Sequence, residues 1–125
     1  MTQDPTDVPP PIWVGHVSLE SLAIADSTAL MERLGMRAIV RGEKISVLEL
    51  RGGTHLVVKR VDELSQKESP FDLMVADLEK AHGDFESWGF EPSEIARGRI
   101  HDSFRVWDPG GVQLRFNSSH VVGVV

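Results

Sequence analysis

Cysteine is absent from the 125 residues. That removes disulfides, thiolate metal sites and cysteine nucleophiles together, and it suits a reducing, cytoplasmic compartment. A basic cluster is missing as well. The 13 Lys and Arg residues are scattered among 19 Asp and Glu residues, giving a net charge of −6 and a pI near 5.3. A phosphate backbone or an anionic membrane surface repels such a chain on average, so neither nucleic acid nor membrane is an expected partner. No apolar run reaches the length of a membrane span. The start, Met1 to Pro11, is acidic and rich in proline, without the basic and apolar segments of a secretory signal. Phosphate-loop glycine spacing, a Gly-x-Ser-x-Gly elbow and a His-Glu-x-x-His helix are all lacking.

What is present is a pattern that runs twice. Trp13 to Glu20 alternates as a half-buried strand, with Val17 and Leu19 on one face and His16, Ser18 and Glu20 on the other. Asp26-Ser27 is placed to cap a helix ending at Leu34, with Ala29, Leu30, Met31 and Leu34 inward and Gly35 as the stop. Strands are expected at Arg37–Arg41, Ile45–Arg51 and Thr54–Lys59, separated by Gly42-Glu43-Lys44 and Gly52-Gly53 turns. After a polar stretch the order repeats. Phe71–Val75 reads as a strand, Asp77 caps a helix to about Trp88, and Gly89 stops it. Strands follow near Pro92–Ala96, at Ile100–Trp107 and at Val112–Asn117, with an Asp108-Pro109-Gly110-Gly111 turn before the last. Leu34-Gly35-Met36 matches Trp88-Gly89-Phe90, and Gly52-Gly53 matches Gly110-Gly111.

The duplication predicts an α+β fold: two βαβββ modules forming a curved mixed sheet around a central pocket, with the helices outside. The expected organisation is a flexible arm over residues 1–11, one domain over 12–118 and a tail over 119–125. Within the domain, module one covers 12–60, a linker 61–69 and module two 70–118.

These landmarks resemble the vicinal oxygen chelate superfamily, which includes glyoxalase I, bleomycin-resistance proteins and extradiol dioxygenases. The residues that carry the resemblance are Gly15-His16-Val17-Ser18-Leu19, Leu34-Gly35, Val75-Ala76-Asp77-Leu78 and Trp107-Asp108-Pro109-Gly110-Gly111. Enzymes of that superfamily hold a divalent metal (zinc, nickel, iron or manganese) with a His or Glu from the first and last strand of each half. The resemblance puts His16 at one such position as a metal ligand. The second falls near Pro70, with Asp72 one inward step on, while the remaining two carry Val57 and Arg115. The set is degenerate, and beyond that candidate metal no cofactor is expected. A guanidinium stays protonated at any relevant pH and repels a dication, so Arg115 argues instead for an anionic ligand held by a forked donor.

Strand phase supplies the other candidates. Gln113, Arg115 and Asn117 share the face opposite Val112, Leu114 and Phe116. His55 pairs with Val57 and Lys59, and His101, Ser103 and Arg105 oppose the core-facing Ile100 and Phe104. The expected site therefore holds His16 and His101 as acid–base groups, with Arg115, His55, Asp72, Gln113 and Ser103 as ligand-binding groups. An ion pair of Arg115 with Asp72 or Glu20 is the competing, purely structural explanation for the arginine. The function these residues point to is a glyoxalase-like protein binding an anionic or oxygenated small molecule. The alternative is a lyase, isomerase or dioxygenase with a histidine-based metal or acid–base site. A homodimer is expected, with Trp13 and the Val121–Val125 tail as apolar surface to bury.

Overall fold

The computed structural model describes residues 4–125, so the first three residues of the expected arm lie outside it. The first module runs β1 (His16–Ser21), α1 (Ile24–Arg33), β2 (Arg37–Arg41), β3 (Ile45–Glu49) and β4 (His55–Arg60). The second runs β5 (Leu73–Val75), α2 (Leu78–Ser87), β6 (Ser103–Trp107) and β7 (Gln113–Ser118). The sheets have the orders β1-β4-β3-β2 and β5-β7-β6. In each, the first strand of the module runs parallel to its last and the remaining pairs are antiparallel. The α+β class and the repeat are thus both observed, as two mixed, unclosed sheets rather than one continuous sheet. No helix among the described residues is long and apolar enough to cross a membrane.

The repeat extends to the atoms of the helix ends. After α1, Gly35 N–H donates to Glu32 C=O and Met36 N–H to Met31 C=O. After α2, Gly89 N–H donates to Glu86 C=O and Phe90 N–H to Phe85 C=O. Both are the same paired C-terminal motif, and it needs a left-handed residue at the glycine. Gly35 has φ 109° and Gly89 has φ 88°.

Three expectations about element boundaries are corrected. Helix α1 starts at Ile24 with no side-chain cap, because the Ser27 hydroxyl turns into the interior and donates to Asp108. Ile24, Ser27 and Thr28 are therefore the buried residues of the first turns, and Ala29 is exposed. The segment Pro92–Ala96 forms no strand, only a bridge from Ala96 to Ser103. Pro92 has no N–H to offer, and Ser93 bonds Arg105 through its own N–H and its hydroxyl oxygen, so a side chain stands in for the ladder. Strand β6 begins at Ser103 rather than Ile100, since Asp102 closes a turn by accepting from Gly98 N–H and Arg97. Ile100 is consequently 72 % exposed instead of core-facing.

One contiguous core joins the modules. Leu19, Leu48, Leu56 and Val58 face Met31 and Leu30 of α1, while Phe104, Val106, Leu114 and Phe116 face Phe85 of α2. Alternation leaves the other face of each sheet free of helix, as the strand patterns show. A buried polar junction ties the modules together. Ser21 and Ser27 hydroxyl oxygens lie 2.6 Å apart, Ser27 donates to Asp108 Oδ2, and Leu22 N–H donates to Gly110 C=O at 3.0 Å.

Candidate functional site

The strands decide which side chains meet. Strands β6 and β7 pair with Ser103 opposite Asn117, Arg105 opposite Arg115 and Trp107 opposite Gln113. Phe104, Val106, Leu114 and Phe116 are buried beneath α2, so these three cross-strand pairs lie on the open face. Two guanidiniums directly opposite each other on one face repel. Neither has a carboxylate oxygen within ion-pair distance among the described residues, although Arg37, Arg41, Arg60 and Arg97 all do. The competing structural explanation for Arg115 therefore does not hold. Glu20 is engaged elsewhere, where its carboxylate accepts from the N–H and hydroxyl of Ser65. Those bonds hold its pKa below the usual glutamate value.

Arg105, Arg115 and Gln113 line a shallow depression of about 200 Å³, with Phe71, Asp72 and Glu68 on its other side. The wall is built by an irregular entrance to the sheet. Glu68 bridges Gln113, yet Leu73 pairs with Phe116. Five residues thus advance against three, and the surplus bulges at Ser69–Asp72. Arg115, Gln113 and Asp72, three of the expected ligand-binding residues, meet in this depression. Ser103 lies two residues along the same face from Arg105.

The other candidates fall elsewhere. His16 and His55 are register partners across the parallel pair β1–β4, with ring centroids 5.6 Å apart. Glu49 Oε1 lies 3.9 Å from His55 Nε2, while the other Glu49 oxygen holds Arg37 at 2.7 Å. His101 sits beyond the start of β6, stacked on His120 of the tail at 5.7 Å. The histidine pair lies on the sheet β1-β4-β3-β2 and the arginine pair on the sheet β5-β7-β6, so the two occupy different sheets. The neighbouring Asp102 turns its carboxylate to Arg97 and Gly98 and does not form a dyad with His101.

The metal positions implied by the resemblance can be tested directly. Val57 brings no donor, Arg115 brings a cation, and Asp72 shares the depression with that cation. Among the described residues no group of three His, Cys, Asp or Glu side chains is placed to hold a metal ion. The residues present do not fit the four-ligand set.

Residues singled out by strand phase alone did not include the mate of Arg115 as a ligand-binding group. Arg105 carried the right parity, and counting equal steps back from the Asp108–Gly111 turn would have placed it opposite. Trp107 was obscured by the turn beside it.

The fold is similar to that of solved glyoxalase and bleomycin-resistance proteins. A lactoylglutathione lyase from Agrobacterium tumefaciens superposes with a TM-score of 0.74 at 14 % identity, over 88 % of this chain and 96 % of that one. The bleomycin resistance determinant of transposon Tn5 does so at 0.66 and 20 % identity, over 88 % and 100 %. The bleomycin-binding protein of Streptomyces verticillus, complexed with copper(II)-bleomycin, does so at 0.66 and 15 % identity, over 86 % and 97 %. No family model matches the sequence, and no curated protein matches it.

Proposed function

We propose that this protein binds a small anionic molecule on the open face of its second sheet. Arg115 and Arg105 hold the anionic group, with Gln113 and Ser103 as neutral partners and Asp72 at the rim. The observation that carries the reading is the cross-strand guanidinium pair with no carboxylate on it. Two forked donors facing one way suit a carboxylate or phosphate better than any neutral group. Small-molecule binding also agrees with the bleomycin-binding protein among the fold's neighbours.

The reading includes a homodimer. A 200 Å³ depression open to solvent is below the size at which sites enclose a small ligand. The open faces also leave Ile39, Ile45, Met74 and Trp107 between 47 % and 53 % exposed, with Trp13 at 66 % and Val122 at 82 %. A second copy laid over these faces would deepen the depression and cover the apolar residues. Sedimentation should therefore show a species of twice the 13.8 kDa chain mass. A monomer at micromolar concentration would remove this part of the reading.

Calorimetric titration with benzoate and with inorganic phosphate tests the anion site. Arg115→Gln should weaken binding of whichever anion is held by on the order of 30-fold, the range for a hydrogen bond to a charged group. Equal affinity in wild type and variant would discard the site.

A second reading, catalysis of the lyase, isomerase or dioxygenase kind, is favoured by the neighbouring imidazoles of His16 and His55. In it His16 and His101 exchange protons with the ligand, or His16 contributes to a metal site of a different composition. Stoichiometric cobalt(II) binding that disappears in His16→Ala would establish the metal form of this reading.

A further inference from the structure

The depression that holds the arginine pair also carries charge of the opposite sign. Arg105 and Arg115 line it together with Glu68 and Asp72, and Gln113 is a neutral member beside them. Among the described residues, neither carboxylate lies within ion-pair distance of either guanidinium or of any other cation. Other acids of this surface do find partners: Glu32 holds Arg41, Asp84 holds Lys80 and Asp102 holds Arg97. Charges of both signs thus share about 200 Å³ without neutralising one another.

The backbone keeps them apart. Glu68 is pinned to β7 through both of its neighbours, since Gln113 N–H donates to Lys67 C=O at 2.6 Å and Ser69 N–H donates to Gln113 C=O at 2.9 Å. Asp72 is fixed from the other end, because the next residue, Leu73, opens the parallel pairing with Phe116. Between the two acids Ser69 braces the bulge. Its hydroxyl donates to Phe71 C=O at 2.8 Å and accepts from Phe71 N–H at 3.3 Å. Arg105 and Arg115 stand on strands in regular antiparallel register. Main-chain bonds therefore set the gap, and closing it falls to side-chain rotation alone, which exposed ion pairs repay poorly.

A plain anion is badly served by this arrangement. Seated on the guanidiniums, it shares the depression with two carboxylates, and like charges at close range repel. A positive group elsewhere on the same ligand turns that repulsion into attraction. We propose that the ligand is a zwitterion, with its anionic end held by Arg105 and Arg115 and its ammonium by Glu68 and Asp72. The inference deepens the anion reading and rests on it. An ammonium donates and does not accept, which suits two acceptor-only carboxylates, just as an anionic end suits two donor-only guanidiniums. A hydroxyl or a neutral amide in place of the ammonium would leave the carboxylate charge unanswered. The small volume restricts the ligand to a small amino acid, or to the zwitterionic end of a larger molecule.

Matched probes test this at neutral pH, where the amines are protonated and the acids ionised. Propanoate is compared with beta-alanine, and pentanoate with its omega-amino derivative. Each is titrated calorimetrically into wild type, the double variant Glu68→Gln/Asp72→Asn, and Arg115→Gln. Wild type should prefer the amino member of at least one pair by about tenfold, the lower end for a hydrogen bond to a charged group. In the double variant the two members should move in opposite directions. The amino member should bind more weakly, and the plain acid about twofold more tightly once the carboxylates are neutral. Arg115→Gln should weaken both members. Glu68 and Asp72 are exposed, so thermal unfolding of the double variant should match wild type. Arg115-dependent binding with no preference for the amino member, or a preference that survives in the double variant, would overturn this inference and leave the anion reading standing. A plain acid that binds the double variant more weakly, or a marked fall in its Tm, would assign the two acids to the fold and overturn it too. If no probe binds wild type, or if Arg115→Gln changes nothing, the anion reading fails and takes this inference with it.

Discussion

Replacing Phe85 with alanine is expected to lower the melting temperature by about 15 °C, from a loss of roughly 4 kcal/mol. Phe85 is fully buried and is the hub of the second module's aromatic packing. Its ring meets Trp88 and Phe90 at 5.5 Å each, Phe104 at 5.9 Å and Phe116 at 5.2 Å, all edge-on. Such edge-to-face pairs add to simple area burial. The neighbours cannot close over the gap easily. Phe104 and Phe116 belong to hydrogen-bonded strands and stack on each other within 9° of parallel, while Phe90 is fixed by the bond from its N–H to Phe85 C=O. Arg105 and Arg115 project from the reverse side of the strands that carry Phe104 and Phe116. The cavity should therefore also weaken anion binding, through movement of strands the ligand never touches. Thermal unfolding followed by circular dichroism checks the first effect and titration the second. A Tm change of only a few degrees would mean that the rings do not form the closed cluster described.

The repeat was legible because its signals are local. A glycine after a helix and a strand's two-residue alternation each depend on neighbours in sequence, and Gly35 and Gly89 terminate their helices as expected. The face assignments of β1 and β7 were legible for the same reason, since Leu19, Leu114 and Phe116 are buried while Arg115 and His16 are exposed. What failed depended on partners distant in the chain. Ser27 has the chemistry of a helix cap, but it lies beside Asp108, 81 positions away, and a buried carboxylate outcompetes a helix terminus that water can serve. Pro92–Ala96 has the spacing of a strand, yet Ser93 satisfies Arg105 with a hydroxyl and the ladder stops. The candidate site was legible as a list of open-face residues. Their division between sheets was not, because alternation fixes which way a side chain points and says nothing of which strands from different modules lie together. An acidic chain with a doubly cationic sheet face also cannot be recognised from net charge. The −6 total averages over a surface on which Arg105 and Arg115 are left unneutralised.

Asp108 offers a sharper test of how the modules are joined, because its alanine variant should lose stability while its asparagine variant gains on wild type as pH rises. The side chain is 3 % exposed. Its Oδ2 accepts from the Ser27 hydroxyl and, at 2.8 Å, from Gly110 N–H, while Oδ1 is buried without a partner. Burial pushes its pKa above the ordinary aspartate value, and the bonds from Ser27 and Gly110 offset this only in part. The folded protein then binds this proton more tightly than the unfolded chain does. Its contribution to stability is complete below the unfolded pKa and declines as pH rises through the folded one. Asparagine resembles the protonated acid and carries no such dependence, since its carbonyl can accept from Ser27 and Gly110. Asp108→Asn should therefore gain on wild type as pH increases from about 4 towards 7. Asp108→Ala should lose stability throughout, by about 3 kcal/mol or roughly 10 °C, since it strips Ser27 and Gly110 of their acceptor. Melting curves of the three proteins across that range decide the matter, and parallel wild-type and asparagine curves would show that the carboxyl keeps its ordinary pKa. Ser27 lies in the first module and Asp108 in the second. Unfolding of the alanine variant in two steps rather than one would make this junction the contact that lets both halves melt together.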